Sequence, residues 1–480
     1  MGNRTTHFYV LGSLVLTLVI LIVLRPVFWR PFTTSSESQD SYIFLEFAQA
    51  NSAPFGWNSL VAHKVNLESS TVEPYNHWTN GYYLLANILF RIFGAVDPGN
   101  QMMILRSLAV IAFIAAAYLI VAAVVAPRYP LIYLAVPLAF LTNAGRDAIP
   151  FVWRDLLFMS IGLYFIVRSR ERPLFKYLFW ASLVILPLFL QTVLAYFFFF
   201  VLVDYLIHRE KKIAYQNFFW LGVGALIVFL VLLLAFPGSI AKGWQGLTEA
   251  VRNRSLVPVD ILENNPTVTF VVFIRLALRR IYEALNLGLL GIFFVVTSWI
   301  FALKRREWWI VALIPSWIFY ALVFRGAVFA NYYSYFPHVF LSLVTFLYGV
   351  DLFLSWLRSK LEESILSLRF GFLKSVAAQP GMTGAVFLFL ALNFYLYPTI
   401  YPIQDRVRDR LLAANQYPPD PMVQIAKSLN AMSTGAAKSR IETLGCNAFT
   451  LTISSTTDGW VPGGAPAVLG RYVLERLNRN

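Results

Sequence analysis

Long apolar runs separated by short polar clusters set the character of this chain. The first covers about residues 8–29, and others follow near 79–96, 103–126, 129–143, 152–167, 178–206 and 217–236. Beyond a polar gap come 268–303, 308–325, 333–356 and 381–399. A helix needs about 20 apolar residues to cross a bilayer, so the runs predict about eleven transmembrane helices. The first run is long and has no small-residue cleavage site before Arg25-Pro26, so it reads as a retained span. The expected fold class is an all-α membrane protein, a polytopic helical bundle.

The polar stretches between the runs set the expected organisation. Residues 30–78 hold Glu37, Asp40, Glu46, Glu68 and Glu73 against Arg30 and Lys64, and this acid-rich loop is expected outside the membrane, bearing interfacial helices. A second loop, 237–267, is assigned to the same side. Residues 357–376, with Arg358, Lys360, Arg369 and Lys374, read as an interfacial helix on the cytoplasmic side. Residues 1–399 then form the transmembrane domain. Residues 400–480 form a small soluble accessory domain outside, with a strand-like Phe449–Ile453 and a turn at Pro462-Gly463-Gly464. The run 178–206 allows two topologies: a hairpin broken near Pro187, or one long tilted helix.

Composition agrees with the pattern. Only 13% of the 480 residues are charged, about half the level usual in soluble domains, and mean hydropathy is +0.63. The net charge of +14 does not imply nucleic acid. Its cations gather at the ends of apolar runs, at Arg168–Arg172, Arg209–Lys212 and Lys304–Arg306, where the positive-inside rule puts them. Cys446 is the single cysteine, so the chain has no internal disulfide and no cysteine-rich metal centre.

Three places could carry chemistry. Asp40 opens an amphipathic segment in which Ile43, Phe44 and Phe47 share its helical face while Glu46 and Gln49 lie opposite. A carboxylate there can act as a base toward the bundle, or simply cap the helix by accepting from its first amides. Next, Glu73, Tyr75, Asn76 and His77 interleave rings with hydrogen-bonding groups where the loop re-enters the membrane. Rings stack on sugar faces while such polar groups take hydroxyls; an interfacial aromatic belt is the plainer explanation.

The third place is Arg275, Arg279 and Glu283, at i, i+4 and i+8 along an apolar stretch. Guanidinium forks there suit a lipid phosphate, or else Arg279 pairs with Glu283 while Arg275 snorkels to the headgroups. Arg325, Tyr332 and His338 repeat this chemistry at another rim. Arg146-Asp147 and Arg154-Asp155 read as local ion pairs at a helix start. There is no Walker loop, Rossmann glycine pattern, HExxH or nucleophile elbow. No motif calls for a cofactor, and no ligand set for a divalent cation stands out.

A span followed by an outer-loop Asp40 with Tyr42–Ala48, then Glu73–Asn80, then Leu84–Gly94, resembles the GT-C superfamily of integral-membrane glycosyltransferases. That group includes the protein mannosyltransferase and aminoarabinose transferase relatives. The likeness covers about the first third of the chain, with weaker echoes at Arg154–Leu157 and Tyr332–His338. It implies a polyprenyl-phosphate sugar donor, a glycan, lipid or protein acceptor, and a catalytic acid at the position of Asp40. Many relatives carry a second acid beside it, where this chain has Gln39 and Ser41. The implied enzyme inverts configuration: Asp40 takes the acceptor proton, and Arg275, Arg279, Arg325 and His77 steady the leaving phosphate. It sits in a bacterial inner membrane with its site outside. A transporter or flippase of lipid-linked saccharides would use the same aromatic and arginine groups for binding only, and a polysaccharide polymerase or ligase would use loop arginines and histidines as catalytic groups in place of Asp40.

Overall fold

The computed structural model describes residues 2–23, 48, 60–66, 71–95, 98–124, 129–141, 152–236, 239–255, 288–324 and 336–367. Helix α1 spans Gly2–Val23. Strands β1 (Val61–Asn66) and β2 (Thr71–Thr79) pair antiparallel. Then come α2 (Gly81–Ile92), α3 (Pro98–Val124), a 3-10 turn at Pro130–Leu134, and α4 (Ala135–Leu141). Four helices follow closely: α5 (Val152–Arg168), α6 (Pro173–Phe189), α7 (Val193–His208) and α8 (Lys211–Leu233). The last are α9 (Ile240–Ser255), α10 (Gly288–Arg305), α11 (Trp308–Val323) and α12 (Phe336–Ser367).

Among the described residues two helices are long and apolar enough to cross a membrane, Asn100–Val124 at mean hydropathy 2.6 and Lys211–Leu233 at 2.1. Shorter apolar helices include Tyr9–Val23, Pro173–Phe189, Val193–His208 and Trp308–Val323. Their faces are turned inside out relative to a soluble protein. On α1 the apolar stripe is the exposed one, from Leu11 at 62% to Ile22 at 72%, while Ser13 and Thr17 are buried. Ser13 accounts for its polarity by donating to the Tyr133 carbonyl at 2.7 Å, and Thr17 by donating to the Ser13 carbonyl at 2.7 Å. Leucines outward and hydroxyls inward suit a hydrocarbon solvent, because water would penalise that exposed stripe. The chain is membrane-associated.

The helices settle the choice left open over 178–206. Leu190 is extended (φ −159°, ψ 105°), so the run is two helices, α6 and α7, broken three residues after Pro187. Helices α6 and α8 contact each other in parallel register: Lys176 meets Gln216, Trp180 meets Asn217, and Leu183 meets Gly224. Helix α7 therefore runs back antiparallel to both, and α6–α7 is a helical hairpin with its tip at residues 190–192. Gly224 permits the closest approach, since a Cβ there would lie 2.1 Å from the Leu183 carbonyl oxygen. That carbonyl's usual helical donor would be residue 187, which is proline and has no N–H.

All three basic clusters meet at one end of the bundle. Arg170 pairs with Asp204 at 2.7 Å and Glu210 at 2.8 Å, tying the α5–α6 turn to the α7–α8 turn. Arg168 donates to the Ala122 carbonyl at the foot of α3 at 2.9 Å. Tyr129 donates to Glu307 at 2.8 Å and accepts from Arg305 at 2.8 Å, bringing in the third cluster. Burial opposes the charge of Arg170, but its bonds to Asp204 and Glu210 outweigh that and hold its pKa above the ordinary value. The Tyr129 hydroxyl is pushed up, by burial first and by Glu307 next.

Several elements depart from the expected pattern. The described residues are predominantly helical, as the all-α expectation has it, with one addition: the 61–79 region of the first loop forms a two-stranded ribbon. Run 79–96 contains the 12-residue helix α2, about 18 Å long and too short to cross. Run 129–143 is a 3-10 turn plus the seven residues of α4. Residues 357–367 continue α12 without a break, so no separate interfacial helix begins at 357. The run 381–399 and the domain at 400–480 lie outside the described residues. A single large core joins α1–α7, α10, α11 and α12, with Tyr196 stacked on Tyr320 at 4.9 Å and Phe113 edge-on to Phe140 and Phe340.

Candidate functional site

The end opposite the basic clusters is built around the hairpin tip. Leu190 interrupts the helical ladder, so the Pro187 carbonyl and the Gln191 N–H, which would bond each other in a continuous helix, are left for another partner. Thr79, the last residue of β2 and fully buried, fills the gap. Its hydroxyl donates to the Pro187 carbonyl at 3.0 Å and accepts from the Gln191 N–H at 3.0 Å. The Thr79 N–H in turn donates to Gln191 Oε1 at 2.9 Å. One threonine thus substitutes for the missing rung and pins the ribbon to the tip.

The neighbouring residues complete the junction. Gly81 starts α2 directly against Phe189, where a Cβ would come within 2.8 Å of the ring. The base of the ribbon rests on α8 and α9: Val61 packs with Val228, Val231, Leu232 and Ala235, and Leu247 of α9 covers that cluster. Segments from the first and second polar loops therefore share this end. The first loop reaches it again through Ala48, which is helical and buried, and whose carbonyl accepts from the Asn87 amide of α2 at 2.8 Å. Ala48 closes the segment that Asp40 opens.

Register gives the ribbon its local character. Lys64 faces Glu73, His63 faces Pro74 and Ala62 faces Tyr75, but the next residue of β1, Val61, faces Thr79. Asn76, His77 and Trp78 therefore form a bulge opposite no residue of β1. Bulges bend a strand and re-aim its side chains, and they recur beside functional sites. Two of the residues that suit a saccharide, Asn76 and His77, thus sit at the irregular part of the ribbon, close to the tip. His63 was not evident from sequence. Burial lowers its imidazole below the ordinary 6.5, against a backbone hydrogen bond with Val61 that raises it, so it is neutral at pH 7. Its Nδ1 is buried and has no hydrogen-bond partner among the described residues.

The remaining expected site residues divide by where they fall. Glu73, Tyr75, Asn76 and His77 lie on β2, and His338 lies in the first turn of α12. Asp40, Arg275, Arg279, Glu283, Arg325 and Tyr332 lie outside the described residues. Among the described residues no three His, Cys, Asp or Glu side chains gather in a way that could hold a metal ion. The Thr79–Gln191 bridge had one sequence signal, the polar pair Gln191-Thr192 inside a long apolar run. Compared with known proteins, the chain matches no family model and no curated sequence.

Proposed function

We propose that this protein is a multi-pass membrane glycosyltransferase that moves a sugar from a polyprenyl-phosphate carrier to a glycan, lipid or protein acceptor. The basic end faces the cytoplasm, as the positive-inside rule requires, and the ribbon end faces outward. Asp40 is the general base: it takes the acceptor hydroxyl's proton as that oxygen attacks the anomeric carbon, and the carbon–phosphate oxygen bond breaks on the opposite face. Arg275, Arg279 and Arg325 hold the departing phosphate, where preorganised charge in a dry groove is most effective. The strand residues Glu73, Tyr75, Asn76 and His77 bind the sugar.

One observation carries this reading. Ala48, at the close of the Asp40 segment, docks on α2, and the Asn76–Trp78 bulge ends at Thr79, two residues before α2 begins. Ala48 and the end of the sugar-binding strand thus meet one helix, at the end remote from the basic clusters, which supports an acid and a saccharide site close together. A transporter would need polar groups through the depth of several helices. Here buried Ser160, Ser182, Ser316 and Thr345 instead bond carbonyls of their own helices. The test is transfer from a labelled polyprenyl-phosphate sugar in proteoliposomes. Asp40→Asn should lower transfer by about 10²–10⁴-fold with little change in donor binding; unchanged turnover would remove Asp40 from the role.

A further inference from the structure

Helices α6 and α8 rise together from the basic end and present an aromatic face in their first turns. Lys176 Nζ lies 4.6 Å from the Trp180 ring centroid and donates to Gln216 at 3.0 Å. Trp180 stacks on Trp220 at 6.1 Å. Tyr177 and Phe219 flank the pair edge-on at 5.5 Å each and are themselves mostly exposed. Just below this face stand Arg172, Arg209, Lys211 and Lys212, all exposed. None of the four forms an ion pair among the described residues, and the nearby acid Glu210 is already engaged by Arg170.

Rings of this kind prefer the headgroup region of a bilayer, and cations beside them attract anionic lipid over zwitterionic lipid. A Trp already carrying a lysine over its face is fixed in place before any lipid arrives. We propose that this face binds an anionic phospholipid, with its phosphate among Lys176, Lys211, Lys212 and Arg172 and its chains along the exposed rings. Among the described residues Lys211, Lys212 and Arg172 have no ion-pair partner, and the Tyr177 and Phe219 rings stay mostly exposed. The site rests on the reading that the basic end lies at a membrane surface, and not on any catalytic role.

The test uses the full chain purified in detergent, titrated with phosphatidylglycerol and with phosphatidylcholine of the same acyl chains, and read by native mass spectrometry and by Tm. Phosphatidylglycerol should bind more tightly and raise Tm more. Lys211→Gln with Lys212→Gln should weaken that binding about 30-fold, from about a fivefold factor per lysine near a lipid surface. Lys242→Gln, at the opposite end on α9, should change nothing. Equal binding of the two lipids would overturn the proposal, as would a phosphatidylglycerol preference untouched by the double variant. So would full stabilisation by inorganic phosphate alone. A protein that still requires detergent for extraction yet shows no lipid preference would sink this site while leaving the membrane reading intact.

Discussion

Replacing Thr79 by valine keeps the shape of the side chain and removes its hydroxyl. In the native junction that hydroxyl serves two backbone groups, the buried Pro187 carbonyl and the part-buried Gln191 N–H, each at 3.0 Å. Thr79 is 0% exposed, so water does not take its place. A buried polar group stripped of its partner costs about 1–3 kcal/mol. Two such groups give about 2–6 kcal/mol, and partial relaxation of the tip brings the expected loss to about 3 kcal/mol. Thr79→Ser retains the hydroxyl and gives up a methyl group, worth about 1 kcal/mol. Unfolding of the purified protein in mixed micelles by graded SDS, followed by circular dichroism, would measure both. Because the bond pins the ribbon, the valine variant should also lose amide protection at residues 61–66 while α10 and α12 keep theirs. Equal stability of the two variants would refute the account of the hydroxyl as a substitute rung.

Other perturbations bear on separate parts of the molecule. Arg170→Gln leaves Asp204, 3% exposed, without its guanidinium, and should cost about 3–5 kcal/mol in the same unfolding assay. Glu210→Gln removes a carboxylate that is 51% exposed and should cost under about 1 kcal/mol. Gly224→Ala drives a methyl group against a backbone carbonyl 2.1 Å away and should destabilise by about 1–3 kcal/mol. Gly222→Ala meets nothing within 4 Å and should stabilise α8 by about 0.5–1 kcal/mol. His63 is held neutral by burial, so the unfolded chain binds the extra proton first as pH falls. Its contribution is complete above 6.5 and is lost as pH drops toward the lowered folded value. Ribbon protection, measured relative to the pH-dependent intrinsic exchange rate, should therefore fall as pH drops below 6.5, and His63→Gln should flatten that response.

How far the sequence reveals this architecture depends on which physical quantity each element needs. Helix positions follow from hydropathy, and the three basic clusters announce the end at which they meet, because charge and lipid preference are local properties of composition. Whether a run crosses is a matter of backbone length, which composition does not measure. Asn80-Gly81 and the turn at Gly94, where φ is +61°, cut 79–96 down to a short helix, and these breaks outweigh the run's apolar character. The ribbon escapes for a different reason. Pro74 argues against a strand, yet in a two-stranded sheet each strand keeps a free edge on which a residue lacking an N–H is tolerated.

The hairpin at 178–206 shows the same division more sharply. Pro187 marks a weak place in the helix, but a proline kink and a full reversal begin alike. What decides between them is Thr79, 108 residues away in sequence, arriving to accept one orphan group and donate to the other. Arg170 then closes the opposite end through Asp204. A reversal needs both closures, since an unbridged tip would leave backbone polar groups unpaired inside the protein and an unbridged base would bury a carboxylate alone. The topology of this bundle is therefore written in pairs of residues far apart in the chain. The site inherits that dependence: the ribbon bulge stays beside α2 only while the Thr79 bridge holds the strand's end in place.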